Sequence, residues 1–167
     1  MRGWRLWTVW LLAFLGACFW FLRPLRHGLL LLLMRLVGTS IPQWDGSGTP
    51  DYWLDARAIE EFRVSHIANA RWVGSRDFRL SHLEGIPKDA TIVVYCSVGI
   101  RSQRIGQVLI GAGFTQVSNL EGGIFKWMVD GNEVVDSHNQ ITVQVHPYDF
   151  LWGIFAPVGR WSRSVDE

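Results

Sequence analysis

Thr91-Ile92-Val93-Val94-Tyr95-Cys96-Ser97-Val98-Gly99-Ile100-Arg101-Ser102 decides the fold of this 167-residue chain. The opening run is continuous and β-branched, the signature of a strand buried on both faces, as in a parallel sheet. After the short loop Cys96 to Arg101, Ile105, Val108, Leu109 and Ala112 repeat at helical spacing, with Gly113 placed to end the helix. Outward on the N-terminal side, Tyr52-Trp53-Leu54 leads to Asp55, and Ala58, Ile59 and Phe62 again fall at helical spacing. On the C-terminal side Val117 begins a short strand, Gly122-Gly123 breaks it, and Ile124, Phe125, Trp127 and Met128 predict a short amphipathic helix stopped by Gly131. Alternating strands and helices predict an α/β parallel sheet flanked by helices, with functional groups beyond the carboxyl ends of the strands.

Composition narrows the function. Charged residues make up 19% and aromatic residues 13%, with ten Trp and a mean hydropathy of +0.12, which excludes intrinsic disorder and points to membrane contact. A net charge of +1 with scattered Arg residues argues against nucleic acid as a partner. The two cysteines, Cys18 and Cys96, lie far apart, and the five His show no ligand spacing, so neither a disulfide framework nor a metal site is expected. No cofactor is implied either.

Cys96 therefore acts alone if it acts at all. At the positive end of a helix, inside a tight turn whose backbone N–H groups can converge on its sulfur, a thiol is biased toward thiolate, and Arg101 adds a nearby cation. Gly99 suits a turn needing positive φ, and Ser102 is placed to cap the following helix. Taken singly, Cys96 could be an inert buried thiol, Arg101 a surface cation and Asp55 a turn former.

Residues 1–38 read as a membrane anchor. From Leu6 to Leu22 no residue is charged, and a helix of that length spans about 25 Å, with Trp and Phe at both ends and Arg5 and Arg23 able to reach outward. Leu15-Gly16-Ala17-Cys18 also resembles a lipoprotein cleavage box, and a basic start before an apolar run describes a secretory signal, so lipidation at Cys18 and simple cleavage are the alternatives. The second run, Leu29 to Met34, is too short to cross and is expected either along the interface or as a continuation of the first helix after a kink at Pro24. A free reactive thiol survives best in the cytosol, which favours the cytoplasmic side for the soluble part. Residues 39–50 read as a linker, 51–136 as the domain and 137–167 as a tail. The aromatic tail could be a flap over the domain's own core or a second contact with a bilayer.

Cys-x-x-Gly-x-Arg-Ser, as Cys96 to Ser102, resembles the active-site loop of single-domain rhodanese-like sulfurtransferases. Leu54-Asp55-Ala56-Arg57, Glu60-Glu61-Phe62 and Ser65-His66-Ile67-Ala68-Asn69-Ala70 resemble the family's first strand, helix and turn, with Ser65 where many members carry Gly. Gly113-Phe114, Asn119-Leu120-Glu121-Gly122-Gly123 and Trp127 resemble its closing segment, and Val145-His146-Pro147-Tyr148 is similar to the end of some membrane-anchored bacterial members. The resemblance covers about residues 51 to 136 and implies a rhodanese-like fold there; residues 1 to 50 are not part of it, and the anchor read from the apolar run would place that fold behind a single-pass transmembrane helix, in a bacterial inner membrane. It also implies transfer of sulfane sulfur from a small donor such as thiosulfate to a thiol acceptor, small or protein-borne, through a persulfide on Cys96. Cys96 and Arg101 would be catalytic, the loop residues Ser97, Val98, Gly99, Ile100 and Ser102 would bind substrate, and Asp55 and Arg57 would support the loop. Arg101 would attract anionic donors. Two other readings remain: a non-enzymatic binding or sulfur-carrier module, and a cysteine phosphatase, whose loop holds five residues between Cys and Arg where this chain has four.

Overall fold

The computed structural model describes residues 40–148 together with Gly28, Leu32 and Ser162. Within them, four parallel strands form one sheet: β1 (Tyr52–Asp55), β2 (Arg71–Trp72), β3 (Thr91–Tyr95) and β4 (Gln116–Asn119), in the order β2-β1-β3-β4. Three helices accompany them, α1 (Ile59–Val64), α2 (Ile100–Gly111) and α3 (Gly123–Val129). A small antiparallel pair, β5 (Val134–Val135) with β6 (Ile141–Thr142), follows. The expected parallel sheet flanked by helices is thus the architecture.

The period-two geometry of β3 explains its unbroken apolar run. Ile92 and Val94 face one layer, with Leu54, Val117 and the α2 residues Ile105 and Leu109. Val93 and Tyr95 face the other, with Ile67, Val98 and the α3 residues Ile124, Phe125 and Met128. A strand covered on both sides has no face on which a polar residue is tolerated. Its register pairs Asp55 with Tyr95 across β1 and β3, so both strands end together and the chain leaves each one at the same edge.

That edge is stabilised by a buried ion pair. The Asp55 carboxylate accepts from Arg57 Nε at 3.0 Å and Nη2 at 2.7 Å, and from the Arg57 backbone N–H at 2.9 Å, with both side chains fully shielded from solvent. Arg57 Nη2 also donates to Ser65 O, and its backbone carbonyl accepts from Trp72 Nε1 at 2.9 Å. The pair therefore ties β1, the turn after α1 and β2 together. It is a brace of the sheet edge, and Asp55 is more than a turn former.

Residues 41–44, inside the segment expected to be a linker, lie on the domain. Ile41 is buried, Asn119 N–H donates to Pro42 O at 2.8 Å, and Trp44 N–H donates to Asn119 O at 2.8 Å, extending the sheet beyond β4. At the other end Val145 is fully buried against Val93, Tyr95 and Phe125, so the tail closes over the domain's own core as far as this residue. The transmembrane helix expected at 6–22 lies outside the described residues, as does Cys18. Among the described residues no helix is long and apolar enough to cross a membrane.

The Asp55–Arg57 pair makes a stability prediction. Asp55→Ala leaves a guanidinium buried with no counter-charge, and should lower unfolding stability by about 3–5 kcal/mol. Urea denaturation of the variant against the unsubstituted chain measures it, and a midpoint unchanged by the substitution would contradict the role assigned to the pair.

Candidate active site

Cys96 follows β3 directly, and the loop it opens is held by three separate supports. The first is a single carboxylate. Glu61, on α1 and almost completely buried, accepts from Arg101 Nη1 at 2.7 Å and Nη2 at 2.8 Å, from Ser97 Oγ at 2.9 Å and from the Ala58 backbone N–H at 3.0 Å. Ser97 Oγ in turn accepts from Arg101 Nη2 at 2.8 Å. Four donors meet the two oxygens of one acid, which is the condition for keeping a buried carboxylate charged. Burial pushes the Glu61 carboxyl upward, but the Arg101 hydrogen bonds and charge, with the Arg57 charge and the Ala58 N–H, outweigh it and hold it below the ordinary glutamate value. Burial likewise works against the Arg101 cation, and the Glu61 hydrogen bonds with the Cys96 and Glu61 charges outweigh it, so its charged form is favoured.

The second support is the start of α3. Ile124 N–H donates to Cys96 O at 2.9 Å and Phe125 N–H donates to Ser97 O at 3.1 Å. This close approach requires glycine at 123: its φ is +59°, and a Cβ there would lie 2.6 Å from Ser97 O and nearer still to Cys96 O. The third support is Asn119, fully buried at the end of β4. Its Nδ2 donates to Gly99 O at 3.2 Å and to Gln43 Oε1 at 3.0 Å, and its Oδ1 accepts from Ser102 Oγ at 2.6 Å.

Gly99 takes φ of +100°, the positive value expected of it, and its N–H donates to Cys96 Sγ at 3.1 Å. It is the backbone N–H recorded on the sulfur, where several had been expected to converge. The N–H groups of the first turn of α2 have no acceptor within the helix and stand beside the same loop. Cys96 is 1% exposed, yet it forms part of a cavity of about 200 Å³ lined by Ser97, Val98, Ile100, Arg101 and Tyr148. Cys96 is thus buried from bulk solvent and borders this cavity.

Two sequence expectations change. Ser102 does not cap α2; the helix already begins at Ile100, and the Ser102 hydroxyl turns inward to Asn119 because that amide is the acceptor within reach. Arg101 is not a free cation waiting for an anion, because Glu61 and Ser97 take up its Nη atoms. Among the remaining loop residues Val98 packs into the core, while Ile100 is half exposed at the rim. Asp55 and Arg57 brace the strand edge beneath the loop without a recorded bond to it.

Glu61, Asn119 and Tyr148 were not singled out as site residues. Glu60-Glu61 is legible in the sequence as part of the helix that resembles the family's, but which of the two acids turns inward depends on how α1 is seated. No group of three or more His, Cys, Asp or Glu among the described residues could hold a metal ion.

Comparison with known proteins places this geometry. Residues 43–130 match the rhodanese-like domain family. A Mycobacterium tuberculosis protein named probable adenylyltransferase/sulfurtransferase MoeZ is 32% identical over 89 residues, which cover 53% of this chain and 23% of that protein. YqhL of Bacillus subtilis is 36% identical over 78 residues, covering 44% of this chain and 58% of YqhL. A tRNA uridine(34) hydroxylase from Photorhabdus laumondii is 34% identical over 80 residues, covering 45% and 23%. The chain thus spans less than two thirds of each relative's length, and about a quarter of two of them. The solution structure of the rhodanese-like domain of an Anabaena protein is 25% identical, with a TM-score of 0.49 over 53% of this chain and 67% of that one. The family match runs from the β4-edge segment through the Cys96 loop to the end of α3, and over that span the chain belongs to the rhodanese-like domain family.

Proposed function

We propose that the domain is a sulfurtransferase in which Cys96 carries the sulfur. The observation that supports this most is the hydrogen bond from Gly99 N–H to Sγ of Cys96, a residue that lines a small cavity together with the Arg101 cation. A sulfur anion in that position is met by one N–H donor and a nearby cation already in place, so little reorganisation accompanies a change of charge there.

With thiosulfate as donor, Cys96 thiolate attacks the outer sulfur, the Cys96 S–S bond forms as the thiosulfate S–S bond breaks, and sulfite leaves with the bonding pair. The product is a Cys96 persulfide. An acceptor thiolate then attacks its terminal sulfur, forming its own S–S bond and returning Cys96 as thiolate. Sulfur is passed on in the sulfane state, so no external oxidant or reductant is required. Throughout, the loop geometry must stay fixed while the charged sulfur is extended by one atom. The supports provided by Glu61, α3 and Asn119 act on the loop's carbonyls and side chains, leaving the sulfur's outward path open. The apolar stretch at 6–22 would tether this chemistry to a membrane as a single-pass anchor, with the domain on the cytoplasmic side.

A binding or carrier role is the second reading, and the same experiment separates it. Full-length chain treated with thiosulfate or an alkyl persulfide should gain the mass of one sulfur at the Cys96 peptide, lose it on addition of a thiol acceptor, and show neither with Cys96→Ser. A chain that takes up sulfur but never releases it to any acceptor is a carrier; one that never takes it up is neither.

Glu61 offers a separate check through pH. Because its carboxyl is held below the ordinary value in the folded chain, its contribution to stability is fully present above that ordinary value and is lost as pH falls through the lowered one. Glu61→Gln removes the titrating group, so the variant's stability should fall less steeply in acid than the unsubstituted chain's, as read by thermal unfolding across pH. Loosening of the loop should also slow sulfur uptake by about 10- to 100-fold at neutral pH.

A further inference from the structure

Tyr148 lies outside the residues matched to the family, which end at 130, yet it forms one wall of the cavity above Cys96. The Arg101 guanidinium carbon stands 4.5 Å from the centroid of its ring. This contact is built rather than incidental. Val145, three residues earlier, is fully buried in the core and accepts from Ser162 N–H at 3.2 Å, which fixes where the tail crosses the domain. Tyr148 itself is held at φ of +67°, a conformation costly for a residue with a bulky side chain, with its N–H donating to His146 Nδ1 at 3.0 Å. The strained backbone aims the ring across the mouth.

The consequence is electrostatic. Arg101 is the one cationic residue lining this cavity among the described residues. Its Nη atoms donate to Glu61 and Ser97, and the aromatic ring stands over one face of the guanidinium. At the mouth Ile100 is 50% and Tyr148 42% exposed, while the Arg101 side chain keeps 23%, so the cation is largely but not wholly covered against an approaching dianion.

We propose that Tyr148 is a specificity-determining residue: its ring screens Arg101 and biases the site toward sulfur carried on an uncharged organic group, an alkyl persulfide, over the thiosulfate dianion. This deepens the sulfur-transfer reading and rests on it for its biological meaning, but the screen itself can be read without any sulfur transfer. In the transfer it concerns, Cys96 thiolate forms the new S–S bond, the persulfide S–S bond breaks, and the alkyl thiolate leaves.

The test compares iodoacetate, which is anionic, with iodoacetamide, which is neutral; both alkylate the sulfur with loss of iodide. Initial rates at the Cys96 peptide are measured by mass for the full-length chain, Tyr148→Ala and Tyr148→Phe. The iodoacetate to iodoacetamide rate ratio should rise about threefold in Tyr148→Ala, the scale of an exposed cation–ring contact, and stay unchanged in Tyr148→Phe, which keeps the ring. The ratio of persulfide formation from thiosulfate to that from the persulfide of 2-mercaptoethanol should rise by the same factor. A ratio unaltered or lowered in Tyr148→Ala overturns the proposal, and so does an equal rise in both variants, since the ring would then not be the screen. Should no variant and no parent chain form a persulfide with either donor, the sulfur-transfer reading fails while the alkylation ratios still judge Tyr148.

Discussion

One carboxylate organises this site. Glu61 reaches from α1 to the loop after β3 and receives both Arg101 Nη groups, the Ser97 hydroxyl and the Ala58 N–H. Removing a charge from water is costly, and the cost is offset here because every donor the acid needs is already in place. The same bonds bring residues 97 and 101 to a common point, so the loop is folded back on itself around its third residue after the cysteine, where only a glycine-type backbone angle closes the turn. Gly99 and Glu61 are thus two halves of one constraint: the first permits the curvature and the second holds it.

Much of this fold could be read from the chain alone, because the layers are written in simple periods. The alternation hidden inside Ile92 to Tyr95 becomes visible once both faces of the sheet are known to be covered, and the helical repeat of Ile105 and Leu109 places α2 on the side opposite α3. The cysteine, the turn glycine and the arginine were likewise legible, since each has a strong local reason to be where it is. Partners distant in sequence were not. Glu61 and Arg101 are separated by 40 positions, and Asn119 and Gln43 by 76, and no local pattern announces that such residues meet. For this reason Arg101 reads in the sequence as a cation beside a thiol, and only the structure shows the acid that pairs with it.

The supposed linker illustrates a different limit. Gly, Pro and Ser residues near 39–50 lack apolar periodicity, yet Ile41 fills space beside Gly106 on α2, and Gln43 pairs with Asn119. A segment that adds to a sheet edge with a few residues needs no period to do so, since backbone groups make the contact. Tyr148 stands in the Val145-His146-Pro147-Tyr148 motif, but its place beside Arg101 comes from a left-handed backbone turn that its residue type does not advertise.

The way the loop is gripped bears on how such a site diversifies. Its hold comes through main-chain oxygens of Cys96, Ser97 and Gly99 and through a single buried acid, leaving Ile100 at the brim with half its surface unclaimed by the scaffold. Replacing that side chain, or exchanging the appended C-terminal segment, alters what the opening admits without disturbing the machinery underneath. Descendants of one ancestral scaffold can therefore drift toward new clients by editing two places at the brim, while the chemistry below is inherited intact.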